Sequence, residues 1–329
     1  MCDEFVAGER PEPLVGQRFC VGYALAPNKV QSFIKPSLVN HARQRGIDLV
    51  SIDLEKPLVE QGPFDCVIHK LYGEDWKKQL DDFSFQNPST SIIDSPDAIE
   101  RLRNRLSMLE VFNGLKVSSQ SEVLGIPKQV CVPDDSESLY SAFHRAGLRF
   151  PVIAKPLIAN GSADSHQMFF VFNEEGLKGL KPPVVLQEFV NHGGVLFKVY
   201  VAGKYVQCLK RSSLPDISGD NYSTTVNLFP FSQISNLTAQ DKNDATFSRS
   251  IDDEIEMPPL SFVTEVANEL RHALKLHLFN FDMIRDARVG NLYLVIDINY
   301  LPGFAKVPSY ETILTDFFLD IAHQQIGKG

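Results

Sequence analysis

No two of the five cysteines (Cys2, Cys20, Cys66, Cys131, Cys208) stand in a C-x-x-C pair, and their number is odd. That spacing excludes a disulfide framework and a cysteine-based zinc site, and it favours a reducing compartment, with the cytoplasm expected and the nucleus as the alternative. No uninterrupted apolar segment approaches the roughly 18 residues that a membrane span needs. The opening MCDEFVAGERPEPL has no basic start followed by an apolar run, so it is expected to be a loose tail over 1–17 and not a secretory signal. Positive charge is in deficit. A net charge of −9 argues against general binding to nucleic acid or anionic membrane, which needs a basic face, while leaving room for an anionic small molecule held by a few convergent cations. Phosphate-binding signatures are absent too. The sequence contains no G-x-x-x-x-G-K-[ST], no G-x-G-x-x-G after a strand, no H-R-D and no D-F-G, which excludes a P-loop or a protein-kinase fold. There is no internal repeat and no low-complexity tract.

What is present is an ordinary globular composition, 43% apolar and 22% charged, in a chain long enough for two or three packed lobes. The first third alternates strands (19–25, 47–54, 64–71, 90–94) with helices (35–46 and a long amphipathic 95–112 started by Ser95 and Pro96), which predicts a mostly parallel sheet. The middle reads as α+β with antiparallel pairing, including a hairpin over 195–211 that turns at Gly203. Residues 232–259 are polar and irregular and read as a mobile loop. A helix over 259–276, a hairpin over 279–299 and a terminal helix near 308–325 close the chain. The expected class is α/β (α+β): tail 1–17, an amino-terminal lobe 18–112, a central lobe 113–205 and a carboxyl-terminal lobe 206–329.

The chemistry concentrates in the last hairpin. In VIDINYLPGF (295–304), strict alternation puts Leu292, Leu294, Ile296 and Ile298 on one face. Asp297 and Asn299 then share the other with Tyr293 and Val295. On FNFDMI, Phe279, Phe281 and Met283 point one way and Asn280 and Asp282 the other. A lone D-x-N at a strand end is more often a plain end and turn. With Asp282 in register on the paired strand, two carboxylates and an amide oxygen converge, a hard set that suits Mg²⁺ and hence phosphoryl transfer. Lys155 sits inside the apolar strand FPVIAKPL, where an ammonium is costly unless an anion meets it. ANGSADSHQM (159–168) reads as a flap over phosphates or a plain turn. PVVLQEFVNH (183–192) leaves a buried strand through Gln187 and Glu188, as an adenine edge would require, or as a surface strand end would.

Taken together, GYALAPNK (22–29), the segment 43–71 ending in IHKL, VIAKPLIANGSADSHQM (152–168), VVLQEFVNHGGVLFKVYV (184–201) and VIDINYLPGF resemble the inositol 1,3,4-trisphosphate 5/6-kinase (inositol-tetrakisphosphate 1-kinase) family of the ATP-grasp superfamily, from about Phe19 to near the carboxyl end. The resemblance implies an ATP-grasp fold with ATP sandwiched between the central and carboxyl-terminal lobes and inositol polyphosphate entering from the amino-terminal one. It implies that Arg105 and Lys155 meet ATP phosphates, that the segment from Gln187 through Glu188 and Val190 to Lys198 lines the adenine site, and that Ser213 touches ATP. Lys29, Lys70, His166, Lys198, Arg211, Asn299 and Gly303 would contact substrate, and Asp282, Asp297 and Asn299 would hold two Mg²⁺ ions. Asp297, Asn299 and Lys155 would carry the catalysis. Where the family has Arg-Pro-Ser-Leu, this chain has Arg211-Ser212-Ser213-Leu214. The expected protein is a monomeric kinase. A carboxylate–amine ligase of the same superfamily and a non-catalytic inositol-phosphate sensor are the competing readings.

Overall fold

The structure, a computed structural model, describes residues 10–14, 16, 18–119, 121–134, 137–160, 165, 167–217, 227–231 and 255–327. Most of the expected mobile loop (232–254) and His166 lie outside them. The amino-terminal sheet is built from β1 (Phe19–Ala24), β2 (Ile47–Ser51), β3 (Cys66–His69) and β4 (Ser91–Ile93), in the order β2-β1-β3-β4 and parallel throughout. Its helices are α1 (Pro27–Phe33), α2 (Pro36–Gln44) and α3 (Glu74–Gln86). The sequence reading found α2, with Pro36 at its first turn and Gly46 at φ +91° behind it, and missed α1 and α3.

The helix expected over 95–112 is not continuous. It splits into α4 (Pro96–Glu100), a 3₁₀ turn over 101–103 and α5 (Arg105–Glu110), because Asn104 is extended at φ −122°, ψ 124°. Its side chain caps α5 by accepting from the Leu106 and Ser107 amides at 2.9 and 3.4 Å. The extended residue also bridges Ile158, and the Arg105 amide donates to the Leu157 carbonyl at 2.9 Å. The break therefore docks α5 on the central lobe. Asn104→Ala should lower stability by about 1 kcal/mol, the usual cost of a lost N-cap. If Arg105 meets ATP phosphates, as the resemblance implies, the substitution should also raise the ATP KM by loosening that side chain; thermal unfolding beside steady-state kinetics checks both, and an unchanged KM would separate the cap from the site.

The remaining strands, in chain order, are β5 (Val123–Gly125), β6 (Gln129–Val132), β7 (Val152–Pro156), β8 (Met168–Val171), β9 (Val184–Glu188), β10 (Val195–Ala202), β11 (Tyr205–Ser212), β12 (Leu228–Phe231), β13 (Leu278–Arg285) and β14 (Leu292–Tyr300). The helices are α6 (Leu139–Arg145), α7 (Glu174–Leu177), α8 (Leu260–Leu274) and α9 (Tyr310–Ile326). The middle sheet, β12-β8-β7-β9-β6, is antiparallel with a core of its own (Val132, Phe143, Val152, Ala154, Leu186). The third, β11-β10-β13-β14-β5, is antiparallel except for β5 beside β14. One large core runs from Val21 and Leu38 of the amino-terminal lobe into Phe281, Ile298 and Phe317 of the third. The Arg45–Asp316 ion pair, 2.5 Å long with Asp316 fully buried, ties the end of α2 to α9. The 205/206 division falls at the tip of the β10–β11 hairpin, whose two strands share the third sheet. We propose that the carboxyl-terminal lobe begins before Val195.

Candidate functional site

The floor of the site is the β13–β14 ribbon. Asp282 pairs with Asp297 and Asn280 with Asn299 across it. The faces are not as strict alternation predicts: a bulge lies between Asp282 and Met283, so that Met283 meets Val295 and Ile296 is the extra residue. The bulge puts consecutive residues Ile296 and Asp297 into the same cavity. Tyr293 and Val295 consequently go to the large core with Ile298, while Leu294 packs with Leu196 and Ile284 on the cleft side. Asp282, Asp297 and Asn299 still share the cleft, because they lie beyond the bulge.

Each carboxylate is braced. Asn280 Nδ2 donates to Asp282 Oδ1 at 3.0 Å, and Asn299 Nδ2 to Asp297 Oδ2 at 2.9 Å. Lys198, opposite Asp282 on β10, lies 3.0 Å from it. Burial pushes the Asp282 carboxyl up; Lys198 opposes that shift and Asp297 adds to it. Burial would lower Lys198, but Asp282 outweighs it and holds the ammonium charged. Arg105, 7% exposed, reaches three places: Nη1 to Asp297 at 2.9 Å, Nε to the Pro156 carbonyl at 3.0 Å and Nη2 to the Ser165 carbonyl at 3.2 Å. Lys155 Nζ donates to the Ile296 carbonyl at 3.1 Å, and burial together with Arg105 pushes it down to about 8.

These groups line a cavity of about 500 Å³ between the middle and third sheets, within the usual range for a small-molecule site. Its apolar walls include Ile153, Met168, Leu196, Phe231 and Ile284. Gln187, Glu188, Val190 and Ser213 line it as well, the last two joined through His192; Gln187 Nε2 is spent on Gln129 Oε1 at 3.0 Å. Lys29, Lys70, Gly303 and Lys306 complete the polar lining, with Lys70 held at the Tyr300 and Leu301 carbonyls. Among the described residues no carboxylate pairs with Lys29, Lys70 or Lys306, whereas the deep cations pair with Asp297 and Asp282. Burial, then the neighbouring Lys70, pushes Lys29 down to about 7; burial alone pushes Lys70 to about 8. A side chain at Gly303 would meet open space, so the backbone leaves the cavity clear there.

Of the expected site residues, fourteen of the fifteen lie within the description, and thirteen line this cavity: Asp282, Asp297, Asn299, Lys155, Arg105, Gln187, Glu188, Val190, Lys198, Ser213, Lys29, Lys70 and Gly303. Arg211 does not; its guanidinium lies 3.4 Å from the Lys306 carbonyl. Tyr200, His192, Asn280 and Lys306 line it and were not singled out. Asn280 was legible from its alternation with Asp282. The other three depend on partners far along the chain.

The donor set fits a hard divalent cation. Its ligating atoms are all oxygens, two carboxylates face each other across the ribbon, and one of them is destabilised by its burial. Two carboxylates and an amide leave most of the shell to water and phosphate oxygens, which is how Mg²⁺ is commonly bound.

Comparison with known proteins gives the same picture. Residues 118–320 match the inositol 1,3,4-trisphosphate 5/6-kinase ATP-grasp domain and residues 20–99 the pre-ATP-grasp domain of the same kinases. The chain is 56% identical over 310 residues to inositol-tetrakisphosphate 1-kinase 1 of Arabidopsis thaliana, covering 93% of this chain and 97% of that one. It is 53% identical over 308 residues to inositol-tetrakisphosphate 1-kinase 1 of Zea mays, covering 93% and 90%. Among solved structures, the D-alanine–D-alanine ligase of Bacillus anthracis complexed with ATP aligns at a TM-score of 0.54, 13% identity, over 94% of this chain and 99% of that one. The D-cycloserine synthetase DcsG aligns at 0.58 with 14% identity, over 92% and 99%. At such identities the likeness concerns the fold alone.

Proposed function

The chain belongs to the inositol 1,3,4-trisphosphate 5/6-kinase family, an ATP-using inositol phosphate kinase with the ATP-grasp fold, and from that premise we propose that it transfers the ATP γ-phosphate to the 5- or 6-hydroxyl of inositol 1,3,4-trisphosphate, to the 1-hydroxyl of inositol 3,4,5,6-tetrakisphosphate, or to both. One observation carries this reading: the cavity lining holds two carboxylates opposed across a β-ribbon together with three lysines that pair with no carboxylate among the described residues. That charge layout suits a metal-bound nucleotide deep in the cleft and a polyanion at its mouth.

Asp282, Asp297 and Asn299 would hold two Mg²⁺ ions, whose charge offsets that of the transferring phosphoryl group. Lys155 and Arg105 would grip ATP phosphates, and the adenine would lie against Gln187–Val190. Lys29 and Lys70 would grip the phosphates already on the inositol ring, with Lys306 beside them, so that the free hydroxyl lies in line with the γ-phosphorus. In phosphoryl transfer of this kind, positioning and charge stabilisation do most of the catalysis. His166 and Arg211 would add substrate contacts, as the family resemblance implies. We propose that the protein acts as a monomer in the cytoplasm. Sedimentation at twice the chain mass would contradict the monomer.

Product analysis against a panel of inositol phosphates tests the activity. A carboxylate–amine ligase would instead release ADP only with a carboxylate and an amine, and a non-catalytic sensor would release none. The depressed lysines add a pH prediction. Lys29 (about 7) and Lys70 (about 8) lose charge as pH rises, while a bound polyanion restores it. Near pH 8, where the substrate phosphates have passed their second pKa of about 6, binding should take up protons, and affinity should fall from pH 7 to 9. Calorimetry in buffers of different ionisation enthalpy checks this; Lys29→Ala should shrink the uptake, and heats independent of buffer would refute it.

A further inference from the structure

His192 lies in the cavity wall, 6% exposed, with no part in the reading above. Its Nδ1 stands 2.7 Å from the Val190 carbonyl oxygen and its Nε2 2.8 Å from Ser213 Oγ. A carbonyl has no proton to give, so Nδ1 must carry the hydrogen. A neutral imidazole has one N–H, so Nε2 accepts, and the Ser213 hydroxyl is the donor to it. Burial favours the neutral ring and outweighs the Val190 carbonyl and Asp216, which oppose it. The backbone around it is fixed: the His192 and Gly193 amides both donate to Asp216 Oδ1 at 2.7 and 2.8 Å, and the Ser213 amide donates to the Gly194 carbonyl at 2.8 Å.

We infer that His192 is a positioning residue for the nucleotide: by accepting the hydrogen bond from the Ser213 hydroxyl it leaves Ser213 Oγ able only to accept a further one, and so selects a hydrogen-bond donor on the bound nucleoside. That donor is a ribose hydroxyl or the exocyclic amino group of the base. The inference rests on the reading that the cavity holds ATP.

The test measures turnover of the full chain with ATP, 2′-deoxy-ATP, 3′-deoxy-ATP and purine riboside triphosphate, in the wild type, Ser213→Ala and His192→Phe. Phenylalanine keeps the ring packed against Phe189, now at 5.8 Å between centroids. The wild type should show a KM about five-fold higher for the one analogue that lacks the selected donor, as expected for one lost hydrogen bond; which analogue it is identifies the source. Both variants should raise the ATP KM to a similar degree and lose that preference to within about two-fold, with kcat and the inositol phosphate KM unchanged. A preference that survives in either variant, or no preference in the wild type, overturns the inference. If His192→Phe does not fold, the ¹⁵N shifts of the wild-type ring decide: a protonated Nδ1 and a bare Nε2 support it, and the reverse overturns it. A wild type that does not use ATP at all would instead sink the functional reading.

Discussion

Asp297→Ala should abolish phosphoryl transfer, with kcat down by about 10³-fold or more, the scale on which loss of one preorganised charge-stabilising group is felt. Asp297 is the point where the deep groups meet. It faces Asp282 across the ribbon, accepts from Asn299 Nδ2, and pairs with Arg105, which in turn holds the Pro156 and Ser165 carbonyls. Alanine would remove one of the few oxygens proposed to hold the metal, and it frees Arg105 from its 2.9 Å anchor. The fold should survive. The side chain is half-buried in a cavity and not in the core, and its removal also relieves the repulsion with Asp282. Asp297→Asn separates shape from charge: it can keep a hydrogen bond to Asn299 but not the negative charge, so it should be nearly as inactive. Near-wild-type turnover in either variant, with thermal unfolding unchanged, would rule out Asp297 as a metal-holding group.

Much of this floor was legible because strand periodicity is short-range physics. Asp282, Asp297 and Asn299 converge as alternation predicts, although the bulge at Ile296 reassigned Tyr293, Val295 and Leu294. A bulge is set by how two strands pair, which neither strand states alone. Lys155 was legible for a different reason: an ammonium inside an apolar strand needs an explanation wherever it lies. The break at Asn104 was not, since the 95–112 stripe is a sound helical pattern and what interrupts it is a bridge to Ile158, 54 residues away. Arg105 enters the cleft through that break, so periodicity alone could not place it and the family resemblance did. His192 was silent for a similar reason, its meaning lying in a serine 21 residues on.

Lys70→Ala should be the most damaging change on the substrate side, lowering kcat/KM for the inositol phosphate by roughly 100-fold, the upper range for a lost hydrogen bond to a charged group. Lys29 and Lys70 look equivalent in the sequence, but the structure gives them different contacts. Lys29 stands at the start of α1 with its ammonium 5.6 Å from the Phe33 ring centroid, and among the described residues no backbone carbonyl accepts from that ammonium. Lys70 Nζ donates to the Tyr300 carbonyl at 2.6 Å and to that of Leu301 at 3.4 Å, and Leu301 is held at φ +40°. The Tyr300 hydroxyl returns a bond to the His69 carbonyl at 2.9 Å. Lys70 therefore brings charge to the mouth of the cleft and also latches the turn that follows Asn299. Lys29→Ala should raise the inositol phosphate KM and leave kcat alone, whereas Lys70→Ala should raise that KM and lower kcat as well. Neither should move the ATP KM more than about two-fold, since the nucleotide contacts proposed above fall on other residues, Arg105, Lys155, Gln187–Val190 and Ser213. Lys70→Met, which restores bulk without charge, should recover none of the KM. Equal rises in the two KM values for Lys70→Ala would place this lysine at the nucleotide and remove the amino-terminal lobe from the substrate site.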